Sequence, residues 1–219
     1  RRMNIPPEKL AVAPVGIEFE DIEPAPAPSD PPAIGYLSRM SECLGLGLLV
    51  DAFIQLKQRG KIPGLKLRVT GGQTAEDTAF LNHIQSELRK RHMEADVEFL
   101  EHFDRASRHA FLRSLSVLSV PVPGGEAFGA FIIEALACGV PVVQPAAGAF
   151  PEIMEKTGGG TVYEPNTEHG LRDALEQLLL DRAGAHELGR RGREAVLAQY
   201  SVEKTMENVL AVYTNLVKS

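Results

Sequence analysis

Short apolar runs alternate with stretches of helical periodicity along most of this chain, and that alternation limits its fold more than any other feature. Residues 33–38 (Ala-Ile-Gly-Tyr-Leu-Ser) read as a short apolar strand, and residues 45–58 then carry Leu46, Leu49, Phe53 and Leu56 at helical spacing. Residues 65–70 form the next strand, closed by Gly71-Gly72, and residues 74–92 read as a polar amphipathic helix. Residues 96–100 are a third strand, 105–115 are helical and 116–122 form an apolar strand. Residues 128–138 are an apolar helix that stops at Gly139, a good helix terminator. Strands follow at 140–143 and 160–163, and helices at 167–180, 183–199 and 202–217 finish the chain.

Strands that alternate with helices call for a parallel sheet covered on both faces. Right-handed crossovers then give an α/β domain with a doubly wound, Rossmann-like parallel sheet over residues 33–200. Ligands of such sheets sit beyond the carboxyl ends of the strands, so the loops at 38–45, 71–74, 100–105, 123–128 and 144–150 are where function is expected. Residues 1–32 stand apart from this pattern. Residues 1–9 read as the tail of a helix stopped by Pro6 and Pro7, and residues 10–15 as a short strand. Five prolines among the nine residues 24–32 keep the backbone extended and deny it amide donors, as in a linker or a segment wrapped on a surface.

The balance of 23 basic and 29 acidic residues, net −6, argues against broad nucleic-acid binding. With 44% apolar residues the chain can bury a sizeable core, which excludes disorder as its main state. The longest uncharged run, residues 135–151, is interrupted by Gly139, Pro141, Pro145 and Gly148, so no transmembrane segment is expected. Only two cysteines, Cys43 and Cys138, suit a reducing compartment, and a cytoplasmic protein is expected, with a peripheral membrane contact left open. The six histidines show no ligand spacing and read as surface residues; no metal site and no bound cofactor are expected.

Chemistry concentrates between residues 123 and 143. Glu126 lies in a Gly-rich loop directly before a helix, and Glu134 lies within that helix on an otherwise apolar run. A carboxylate there costs free energy unless it is paired or bonded to a ligand hydroxyl. The start of the helix exposes the amides of Gly129, Ala130 and Phe131 at the positive end of the helix dipole, an anion cradle with a carboxylate on each side.

The spacing Glu126-Ala-Phe-Gly…Glu134 resembles the E-x7-E motif of retaining glycosyltransferases of the two-domain GT-B architecture, family 4. Ala137-Cys-Gly-Val-Pro-Val-Val, Pro151-Glu-Ile, Gly35-Tyr-Leu-Ser-Arg39 and Val97-Glu-Phe are also similar to that family, in the same order. The resemblance implies a C-terminal domain that binds a nucleotide-sugar donor, with the acceptor bound through an N-terminal domain missing from this chain. By position, Arg39 would meet the donor diphosphate, and the amides of Phe128, Gly129 and Ala130 would take phosphate oxygens. Glu134 would accept hydrogen bonds from the ribose, and Glu126, the catalytic candidate, would bind hydroxyls of the transferred sugar. Phe103 and Arg108 fall where the family places the base. Residues 1–32 would be a remnant of the preceding domain plus a linker, and the helix in 201–219 would lean on the missing domain. An isolated chain of this kind is expected to be inactive.

Two departures from the family pattern stand out. Leu44 occupies the position of a lysine that usually precedes the glycine opening the helix after Arg39, with Glu42 close by; and Glu101 replaces a small glycine near the base site. They keep two other readings open: a non-catalytic nucleotide-sugar-binding relative, or a GT-B-like epimerase or phosphorylase.

Overall fold

A computed structural model of the chain describes residues 5–6, 9–26, 29–100 and 104–218. Six parallel strands form one sheet in the order β3-β2-β1-β4-β5-β6. They are β1 (Ala33–Leu37), β2 (Lys66–Thr70), β3 (Val97–Leu100), β4 (Val117–Leu118), β5 (Val142–Pro145) and β6 (Gly160–Tyr163). The central strand β1 is buried at all five positions, as a strand covered on both faces must be. It registers Ala33 against Lys66 and Leu37 against Thr70 on one side, and Ile34 against Val117 on the other.

The described residues hold eight α-helices: α1 (Leu46–Arg59), α2 (Thr78–Lys90), α3 (Arg105–Arg113), α4 (Ala130–Ala137), α5 (Phe150–Thr157), α6 (Glu168–Leu180), α7 (Arg182–Gln199) and α8 (Val202–Lys218). α1 packs on α6, and α4 packs on α3 and α7. One contiguous core fills the space between the layers, with Phe53, Leu56, Leu67, Leu118, Leu136 and Phe150 almost wholly buried.

The doubly wound fold matches the expectation from the alternation, with three local differences. First, α5 was not foreseen. Pro151 in its first turn starts a helix rather than breaking one, and Phe150, Ile153, Met154 and Thr157 form its buried stripe before Gly158 ends it. Second, residues 116–122 pair as a strand only at Val117 and Leu118. Pro121 and Pro123 offer no amide donor, and the buried Gln144 side-chain amide takes over by exchanging hydrogen bonds with the Val120 backbone. Third, residues 10–15 form no strand: Leu10, Val12 and Val15 are exposed, and only Ile17 makes a single parallel bridge to Ser201.

Residues 14–25 run along the domain as a strap. The Ile17 amide donates to the Tyr200 carbonyl at 2.9 Å, and the Thr205 hydroxyl donates to the Pro14 carbonyl at 2.8 Å. Glu18 and Glu23 pair with Arg105 and Arg113 of α3, and Ile22 is buried. In the 190–193 run, Arg190 and Arg191 face solvent beside Glu187, as expected of a solvated helix face. Arg193 turns inward and donates to the carbonyls of Ala137 and Ile22, clamping the end of α4 to the strap. On α8, Met206, Leu210, Tyr213 and Val217 recur at helical spacing and are 62–88% exposed, so this helix presents an uncovered apolar stripe. Among the described residues no helix is long and apolar enough to cross a membrane.

The loops after β4 and β5 interlock through two glycines. Gly125 (φ +69°) and Gly148 (φ +57°) lie back to back, and a Cβ on Gly125 would meet the Gly148 nitrogen at 2.4 Å. The Ala149 amide donates to the Glu126 carbonyl at 2.8 Å beside them. Gly125→Ala is therefore expected to cost about 1–3 kcal/mol, read as a lower urea midpoint. Gly124→Ala, whose added Cβ meets nothing within 4 Å, should stay within roughly 0.5 kcal/mol of the parent.

Candidate functional site

Strand order reverses between β1 and β4, so the crevice between the loops that follow them is where a doubly wound sheet takes its ligand. α1 and α4 both begin at this edge. Gly129 caps α4 in the left-handed conformation, φ +71° and ψ +55°. A Cβ there would press on Ile132 and Phe150 at 3.2 Å. Gly129 is the N-cap residue but has no side chain to bond the first-turn amides, and helix geometry leaves those of Ala130 and Phe131 without intrahelical acceptors. Ala130 is exposed and Phe128 half-buried, so this helix start is open to an anion. Glu126, in the loop just before it, is half-buried.

On the other bank, the buried Tyr36 hydroxyl donates to the carbonyls of Arg39 (2.9 Å) and Leu44 (3.3 Å), shaping the loop after β1. The Met40 amide donates to the Gly72 carbonyl at 2.8 Å and ties this loop to the one after β2. Arg39 is half-exposed, with Nε 3.8 Å from Asp77 Oδ2. Asp77 is buried and accepts from the amide and hydroxyl of Thr74 at 2.8 and 2.9 Å, and these bonds hold its carboxyl below the usual range. Sequence reasoning missed Asp77; its signal was an acid three residues after Thr74, the capping-box spacing. Leu44 packs its half-buried side chain against the core, so no cation stands at that position. Cys43 is exposed next to Arg39, and the Ser41 hydroxyl, with Arg39 behind it, holds the thiol below its ordinary value.

Two of the residues singled out from sequence meet directly. Arg108 Nε lies 3.0 Å from Glu134 Oε2, and the Glu134 side chain is only 14% exposed. Burial pushes the Glu134 carboxyl up, and Arg108 followed by Arg105 opposes that rise. The capping carboxylate of Asp104, which accepts from the Ser107 amide at 3.0 Å, starts the helix that carries both arginines. Phe103 and Glu101 lie outside the described residues. Of the histidines read as surface residues, His109 is instead buried on α3 beneath the strap at Asp21, and burial lowers its pKa. Cys138 is buried at the end of α4, its thiol pushed up to about 12. Among the described residues no three His, Cys, Asp or Glu side chains converge as a metal site would require.

The raised carboxyl of Glu134 fixes a sign. A carboxyl that binds its proton more readily in the folded state than in the unfolded state favours folding as pH falls and disfavours it at neutral pH. Relative to Glu134→Gln, the parent chain should therefore gain stability as the pH drops through this raised value. Urea midpoints of both proteins between pH 8 and pH 5 would show it, and a pH-independent difference would contradict it.

Comparison with known proteins gives the family and the fold. The sequence profile of the family described as "Glycosyl transferases group 1" matches residues 18–195. D-inositol 3-phosphate glycosyltransferase of Mycobacterium leprae is 27% identical over 223 aligned residues, covering 96% of this chain and 50% of that protein. Sucrose-phosphate synthase from Thermosynechococcus elongatus superposes with a TM-score of 0.80 at 27% identity, over 95% of this chain and 53% of that one. HepE of Anabaena, solved with UDP and glucose, superposes with a TM-score of 0.73 at 20% identity, over 83% of this chain and 48% of that one. This chain thus spans about half the length of the relatives it matches, and its six-stranded sheet has the form of the C-terminal domains of GT-B glycosyltransferases. On the extent of the profile match, the chain belongs to the glycosyl transferases group 1 family.

Proposed function

We propose that this chain is the donor-binding half of a retaining glycosyltransferase that moves a sugar from a nucleoside-diphosphate sugar to an acceptor hydroxyl. The observation that carries the reading is the open start of α4 at the strand-order reversal, with Glu126 immediately before it and the half-buried Glu134 one turn inside it. Phosphate oxygens would sit on the amides of Phe128, Gly129 and Ala130, and Arg39 would face them from the loop after β1. Glu134 would accept from the ribose hydroxyls, and Glu126 from hydroxyls of the transferred sugar. HepE shares this fold and was solved with UDP, which makes UDP the first nucleotide to try.

In the transfer step the bond from the anomeric carbon to the diphosphate oxygen breaks and a bond to the acceptor oxygen forms on the same face. The acceptor proton passes to the departing phosphate. Negative charge grows on that phosphate, and a fixed cation and a helix start stabilise it without reorganising. Arg39 and the α4 amides supply this positive potential from the protein itself, which fits a metal-independent reaction with no resident cofactor. With Leu44 turned into the core, Arg39 carries the cationic part at this loop. The acceptor would enter through a further domain, and the apolar stripe on α8 has the form of a surface that leans on one.

Titrating UDP, GDP and ADP into the chain should shift the backbone amide resonances of Gly129 and Ala130 with at least one of them. Arg39→Ala should weaken that nucleotide by about tenfold or more, the worth of a charge-assisted phosphate contact. No shift at either amide with any of the three overturns the reading.

A further inference from the structure

Glu134 lies on a helix whose neighbouring positions Ile132, Ile133, Ala135 and Leu136 are buried and apolar. A carboxylate in that setting tends to take up a proton or to turn towards solvent, and either would spoil it as a fixed acceptor. The charged groups acting on it are both on α3: Arg108 in contact, and Arg105 further away and engaged by Glu18 and Asp21 of the strap. Among the described residues Arg108 is the one ion-pair partner of Glu134, with Nε 3.0 Å from Oε2.

On the donor-site reading above, we infer that Arg108 is a positioning residue that acts through Glu134 rather than on the base. By pairing with the carboxylate it keeps that group ionised and in one rotamer, and the lone pairs the arginine does not use become fixed acceptors for the ribose hydroxyls. Ribose recognition, and with it the choice of a ribonucleotide over an analogue lacking these hydroxyls, then depends on an arginine that touches neither. A buried acceptor discriminates strongly because the analogue leaves it unpaired.

The test compares the tightest-binding member of UDP, GDP and ADP with its 2′,3′-dideoxy counterpart by calorimetric titration of the full chain and two variants. The parent should favour the ribonucleotide by about tenfold or more. Arg108→Gln should reduce that ratio towards one, chiefly by weakening the ribonucleotide, and the ratio should fall further from pH 8 to pH 5 as Glu134 protonates earlier. Arg108→Lys, which keeps a charge beside Oε2, should restore most of the ratio and the flatter pH profile. Equal weakening of both ligands by Arg108→Gln, with the ratio intact, overturns the proposal and returns Arg108 to the base or to a purely structural role. If the glutamine variant does not fold, Arg108→Met takes its place: a ratio reduced towards one supports the proposal, and equal weakening of both ligands with the ratio intact overturns it. Failure of the parent to bind any of the three nucleotides defeats the donor-site reading itself, a result distinct from an unchanged ratio.

Discussion

Between β1 and β4 the chain reverses the direction in which it lays down strands, and two helices must therefore start side by side and depart to opposite faces of the sheet. The carbonyl-rich strand ends and the amide-rich helix starts meet along that one line. Tyr36, buried beneath the loop after β1, and Gly129, in a conformation costly to any other residue, adapt the two banks of the crevice to it.

Electrostatic cost is gathered at the same place. Asp77 is a buried carboxyl and Glu134 a half-buried one at this edge, yet their environments push in opposite directions. Thr74 donates twice to Asp77 and holds it ionised, whereas Glu134 sits among apolar neighbours with one arginine against it. The first arrangement anchors a cation, and the second holds a carboxylate in a place where folding alone would not choose one.

How much of this could be read from residues alone varies with the physics involved. The alternation of periods located all six strands and seven of the eight described helices, because burial on two faces leaves a dense apolar signal. It failed at α5, a helix of only eight residues with Pro151 in its first turn, and at residues 10–15, which are apolar but have no neighbouring strand to pair with. The loop residues Glu126 to Ala130 and the helical Glu134 were legible from their spacing. Asp77 was not, since it reaches Arg39 across two separate loops; nor was the inward turn of Arg193 or the burial of His109, which depend on a strap distant in sequence. Pairwise chemistry between remote segments leaves no periodic trace, and only the three-dimensional arrangement discloses it.

The back-to-back contact of Gly125 and Gly148 binds two segments into one unit although 22 residues separate them in the chain. Neither can acquire a side chain at its glycine while the other stays where it is. Natural drift and deliberate loop grafting alike must then exchange both turns together, so this wall of the crevice is inherited as a matched pair of pieces.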